Sequence, residues 1–131
     1  MPSLREDLYA YAETKYHSRP EYLWARYPDY AIFRHGDNNK WFGLIMDVPR
    51  NKLGGAGEDR VDILNVKMES PLLVDLLVQL PGYLRGYHIR RGNWISILLD
   101  GTVPLAEICQ RLDESYQNTA PKAKKRSKSV R

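Results

Sequence analysis

Residues 81–101 read PGYLRGYHIRRGNWISILLDG. Pro81-Gly82 cannot continue a helix, because proline lacks the N–H donor and glycine favours the left-handed turn that closes one. The alternating run Ile95-Ser96-Ile97-Leu98-Leu99 has strand period, and Asp100-Gly101 is a turn signal. Between them the spacing predicts a second strand over 87–90 and a hairpin tip at Arg91-Gly92-Asn93, with Ile95, Ile97 and Leu99 facing the core. A helix therefore ends before this stretch, a hairpin fills it, and a new element follows.

On the N-terminal side, Ser70-Pro71 is a helix start, a capping hydroxyl followed by proline at the first helical position. Leu73, Leu76, Leu77 and Leu80 supply its expected buried stripe. On the C-terminal side, Pro104 opens a last helix carrying Leu105, Ile108, Cys109, Leu112 and Tyr116 at helical spacing. Further out, residues 30–34 and 40–48 read as strands joined by the turn-rich Gly36-Asp37-Asn38-Asn39. Phe42, Leu44, Met46 and Val48 share one face of the second, and Trp41, Gly43, Ile45 and Asp47 the other. A third strand covers 61–68, with Leu64, Val66 and Met68 opposite Ile63, Asn65 and Lys67. Residues 3–16 form a first helix with a Ser3/Glu6 capping box. Residues 17–29 contain Pro20 and Pro28 and read as a connection. The 49–60 loop holds Gly54-Gly55-Ala56-Gly57, but Glu58 and Asp59 follow and would repel a phosphate.

The order α-β(3)-α-β(2)-α predicts an α+β fold, a single domain over residues 1–118 with helices packed on one face of an antiparallel sheet. Residues 119–131 have no apolar period and are expected to be a disordered basic tail. On this reading the other face presents Trp41, Ile45, Asn65, Lys67, Trp94 and Ser96. It is either an open, interactive surface or covered by the 49–60 loop or the 17–29 segment.

The formal charge of +4 is concentrated. Lys122, Lys124, Lys125, Arg126, Lys128 and Arg131 lie in the tail with no acid among them, leaving 14 basic residues against 16 acidic ones elsewhere. A single cysteine, Cys109, permits no internal disulfide, which fits a reducing, cytoplasmic setting. Glu6 and Asp7 stand where a signal peptide needs apolar residues. The most apolar window, 72–80, is interrupted by Asp75 and Gln79 and is too short to span a membrane.

Catalytic signatures are missing. There is no paired-cysteine motif, no His-Glu-x-x-His and no Gly-x-Ser-x-Gly, and His17, His35 and His88 are scattered. No enzyme activity, metal or cofactor is expected. Cys109 sits on an apolar stripe, where a thiol is inert. The chemistry that does cluster is basic and aromatic. Arg85, Tyr87, His88, Arg90, Arg91 and Trp94 fall within one hairpin, and Lys40 with Trp41 repeat the mixture at the first. Lys67 adds a cation on the sheet, and Lys124, Lys125 and Arg126 add charge from the tail. Cations can contact phosphates and aromatic rings can stack bases, so DNA is the expected partner. The rival reading is a protein-interaction or dimerisation module that uses the open sheet face and has no nucleic-acid role.

The ordered series Asn65-Val66-Lys67, Ser70-Pro71, Pro81-Gly82-Tyr83, Gly86-Tyr87-His88, Trp94, Asp100-Gly101, Val103-Pro104 and Ser115-Tyr116 resembles the MmcQ/YjbR family over roughly residues 28–117. The resemblance implies a CyaY-like α-β(3)-α-β(2)-α fold and DNA binding through a double-wing arrangement of two hairpins. The chain departs from the family at Arg90-Arg91, where Asn-Lys is common, at Asn93, where histidine is frequent, and in the longer 49–60 link.

Overall fold

Arg60–Lys67, the third strand (β3), is buried on both sides: Ile63, Leu64, Asn65 and Val66 are all inaccessible to solvent. A strand covered on two faces carries apolar residues at consecutive positions, and this one lies at the centre of the sheet. The computed structural model describes residues 4–89 and 92–121. In chain order it contains α1 (Arg5–Tyr16), β1 (Ala31–Arg34), β2 (Trp41–Pro49), a 3-10 turn (Arg50–Leu53), β3, α2 (Pro71–Leu77), β4 (Tyr83–Arg85), β5 (Trp94–Leu98) and α3 (Leu105–Thr119). The strands form one sheet in the order β1-β2-β3-β5-β4, every neighbouring pair antiparallel. This is the expected α+β fold in one domain.

The first face is packed by helices. Leu8 and Ala12 of α1 and Ile108 and Leu112 of α3 bury against Phe33, Ile45, Leu64, Val66, Ile95 and Ile97. Gly43 permits the close approach of α3. A Cβ there would lie 3.1 Å from Phe33 Cδ2 and 3.2 Å from Leu112 Cδ1. A register shift between Phe33 and Arg34 lets Phe42 reach the helices as well, so Phe42 does not share the face of Leu44, Met46 and Val48.

The second face is not open. Ile32, Leu44, Met46, Val48, Val61 and Ile63 form a second apolar layer, with Trp24, Tyr30, Trp41, Leu53 and Tyr87 packed on it. Ile45, expected on this face, points to the helices opposite Leu64. The cover is the connection between α1 and β1, and it is pinned to the edge strand. Glu21 and Ile32 exchange two backbone hydrogen bonds of 2.9 Å, and the Arg34 guanidinium donates to both Glu21 carboxylate oxygens. The sheet face expected to stand open for a partner is therefore covered, as the alternative of packing under the 17–29 segment had it.

Four local expectations also change. Helix α1 starts at Arg5 with Leu4 as N-cap and no side-chain cap; Ser3 lies outside the described residues. On α2 the buried residues are Val74 and Leu77, whereas Leu76 and Leu80 are exposed. A seven-residue helix at the sheet edge presents only one turn's width to the core. The last strand pair is β4–β5 rather than 87–90 with β5, because the chain leaves the ladder at Gly86 and turns through His88, whose φ is 60°. Helix α3 runs through Thr119, with Thr119 and Ala120 buried, so it enters the stretch expected to be tail. Residues 122–131 lie outside the described residues. No helix among the described residues is long and apolar enough to cross a membrane.

Candidate nucleic-acid interface

The covered face is not sealed. A cleft of about 320 Å³ opens between the α1–β1 connection, β2 and the turn after β4. Its floor is Leu44 and Met46 of β2, which alternate onto this face, and Ile89 closes one side. The walls are aromatic. Trp24 meets Trp41 edge to face with ring centroids 5.7 Å apart and Tyr30 at 5.8 Å, while Tyr27 and Tyr30 stack at 4.7 Å. Tyr87 and His88 form the far wall, their rings 4.1 Å apart. Burial, reinforced by Tyr87, pushes the Tyr30 hydroxyl pKa up.

The far wall is fixed from beneath. The Tyr87 amide donates to Ser96 Oγ at 2.8 Å, and Ser96 Oγ donates to Asn65 Oδ1. Asn65 Nδ2 in turn donates to Leu44 O at 3.4 Å and reaches Met46 Sδ at 3.3 Å. Asn65 and Ser96 are wholly buried, so the polar pair is satisfied only through β2 and the Tyr87 turn. Gly86 admits the turn, since a Cβ there would sit 2.4 Å from Ile89 O. A histidine held at positive φ and a glycine that tolerates no side chain make this a constrained segment, the kind that concentrates at binding sites.

Of the residues expected to carry function, Trp41, Tyr87 and His88 converge on the cleft. Lys40 is exposed in the β1–β2 turn beside Trp41. Lys67 and Trp94 pair across β3–β5 and do not line the cleft; the Lys67 amide donates to Ser115 Oγ and its carbonyl accepts from Asn118 Nδ2. Arg85 is at the other side of the edge strand, ion-paired with Asp75 of α2 at 2.8 Å. Arg90, Arg91, Lys124, Lys125 and Arg126 lie outside the described residues. Trp24, Tyr27 and Tyr30 were not anticipated. Their signal was density, four aromatics within YLWARYPDY at 22–30, in a segment without apolar period.

Charge near the cleft is selective. Arg34 and Arg60 are neutralised by Glu21 and Asp47. Among the described residues, Arg26 and Lys40 have no ion pair, and each neighbours a cleft segment in the chain. Among the described residues, no carboxylate lines the cleft. The arrangement suits a flat, apolar or aromatic group attached to an anion. Three or more His, Cys, Asp or Glu side chains do not come together anywhere among the described residues in a way that could hold a metal ion. Cys109 is buried on α3, and burial pushes its thiol pKa up.

The model of the YjbR family matches residues 13–118. An uncharacterised Bacillus subtilis protein, YyaQ, is 43% identical over 115 residues, covering 88% of this chain and 97% of that one. A Pseudomonas syringae crystal structure is 40% identical and superposes with a TM-score of 0.84, covering 88% of this chain and 98% of that one. A Deinococcus radiodurans structure, 21% identical with a TM-score of 0.66 over 88% of this chain and 77% of that one, shares the fold.

Proposed function

The chain belongs to the YjbR family, and we propose that it binds DNA by stacking unpaired bases in the aromatic cleft between its two hairpins. One observation carries this reading: Trp24, Tyr27, Trp41 and Tyr87 line a single apolar cleft with no acid among its described lining residues. Each base offers a π-face, and stacking on an aromatic side chain is worth about 1–3 kcal/mol per base. Arg26 and Lys40 beside the cleft supply phosphate contacts, and the six cations of residues 122–131 add a sequence-independent attraction. The protein acts by binding, without a chemical step, in the cytoplasm.

The near-balanced body sharpens the reading. Most arginines of the described residues are held by carboxylates, which leaves little cationic surface for rigid duplex. A single strand needs fewer phosphate contacts, because each exposed base contributes its own stacking.

Tryptophan fluorescence of the full chain, titrated with an oligo(dT) strand and with a duplex of equal length at low salt, tests this. The expected result is quenching by the strand at concentrations where the duplex gives less. A chain that binds neither at low salt, by fluorescence and by electrophoretic shift, overturns it.

A further inference from the structure

The long link between β2 and β3 contributes nothing to the lining of the cleft, yet it is built rather than loose. Residues Arg50–Leu53 form a 3-10 turn that Gly54 ends at φ 87°, and the Gly55 amide donates to Arg50 O at 3.1 Å. Both ends of the turn are tied down. The Arg50 amide donates to Asp59 O at 2.9 Å, and its guanidinium pairs with Asp59 at 2.9 Å and Asp100 at 3.3 Å. Leu53 packs on the second apolar layer, which Tyr87 also covers. Lys52, between these anchors, is exposed and has no ion pair among the described residues.

Lys52, Leu53 and Gly54 line a hollow of about 300 Å³ together with Leu84, Arg85 and Tyr87. Tyr87 thus lines both this hollow and the aromatic cleft, so the two adjoin at its ring. Among the described residues no acid lines the hollow. Of the acids that follow the glycines of the link, Asp59 is held by Arg50, and neither Glu58 nor Asp59 reaches the lining. We propose that Lys52 binds a backbone phosphate of the DNA strand, the one next to the base that stacks on Tyr87. This depends on the base stacking proposed above, and it extends the contact along the strand to a link that the cleft leaves out. A base and its phosphate are joined by one sugar, so a ring and a cation that share a hollow can engage neighbouring parts of one strand. A lysine ammonium takes a phosphate oxygen as a point charge, without the fixed geometry that a guanidinium imposes. Lys52 also gives up no ion pair to do so, whereas Arg85 at the border is already held by Asp75 at 2.8 Å.

The test is a fluorescence titration of the full chain with an oligo(dT) strand of about twelve nucleotides, repeated over a series of salt concentrations. Lys52→Ala should weaken binding about 3–10-fold at low salt and flatten the slope of log K against log salt by about 0.7, the loss of one phosphate contact on a single strand. Lys52→Arg keeps the charge and should restore both affinity and slope. Arg19→Ala removes the same charge from an exposed side chain that lines neither the cleft nor the hollow, and should keep the parent's slope. Far-ultraviolet circular dichroism checks that the variants, all at exposed positions, are folded. If the parent binds and Lys52→Ala keeps its affinity and slope, or Arg19→Ala loses as much, the role of Lys52 is overturned and base stacking stands. A parent that binds no strand at low salt overturns both.

Discussion

Ser96 donates a hydrogen bond to Asn65 in the interior of the sheet, and both side chains are wholly out of water. An isolated polar pair between two strands would be a liability in an apolar layer. Here it is saturated, because Ser96 Oγ also accepts the Tyr87 amide and Asn65 donates to Leu44 O. The pair joins the middle of the sheet to the wall of the cleft.

Ser96→Ala removes the hydroxyl and leaves both the Tyr87 amide and Asn65 Oδ1 without that partner. The cost is that of stranding buried polar groups, about 1–3 kcal/mol. Thermal denaturation should show a midpoint lower by roughly 4 °C per kcal/mol lost. A variant that melts with the parent contradicts the assignment.

The turn after β4 should respond oppositely at neighbouring positions. Gly86→Ala would drive a Cβ against the Ile89 carbonyl and should cost at least about 2 kcal/mol. His88→Gly relieves a side chain held at φ 60° and should be neutral to stabilising by about 0.5–1 kcal/mol. Urea midpoints of the two variants, moving in different directions, check the geometry.

In the cleft, Tyr87→Phe keeps the ring and Tyr87→Ala removes it. If a base stacks there, Phe should bind oligo(dT) within about twofold of the parent, and Ala should lose about 5–100-fold. Fluorescence titration of both distinguishes stacking from a hydrogen bond to the hydroxyl. Loss by Phe equal to loss by Ala contradicts stacking.

Acid should reach the α1–α3 contact through Asp113. Burial raises its pKa, but hydrogen bonds from Tyr16, Lys15 and Tyr11 outweigh that and hold it below the usual aspartate value. A depressed carboxylate stabilises the fold above its unfolded pKa and loses that contribution as pH falls through the folded one. Asp113→Asn should therefore lower urea midpoints at pH 6, with the gap from the parent closing below about pH 4. A gap that stays constant down to pH 2 contradicts the linkage.

The element order was legible because prolines and glycines punctuate it. Pro71 and Pro104 mark helix starts that the structure keeps within one residue, whereas α2 ends at Leu77, four residues before Pro81. Facing was harder to read. Leu44-Ile45-Met46 and Ile63-Leu64 are apolar at consecutive positions, so a period of two cannot choose an inward side when both sides are buried. The cover over the second face comes from 17–30, whose aromatics follow no period and are placed by the Glu21–Ile32 bridge and the Arg34–Glu21 pair. The early end of β4 depends on a hydroxyl of another strand and on a left-handed histidine, both tertiary facts. Trp41, Tyr87 and His88 were identifiable as members of the basic and aromatic clusters at the two hairpins. That they meet Trp24 and Tyr27 was not.

The cleft is assembled from three stretches far apart in sequence, at 24–30, 41–46 and 87–89. No one of them encloses a ligand alone, so a chain that has lost its sheet has lost the cleft as well. Occupancy is then thermodynamically a vote for the whole native state. Any compound that fills the cleft in the native state alone stabilises the fold by RT ln(1 + [L]/Kd) with free ligand in excess, and so raises the midpoint of unfolding. The melting curve thereby becomes an assay for ligands of this protein, whatever their chemical class.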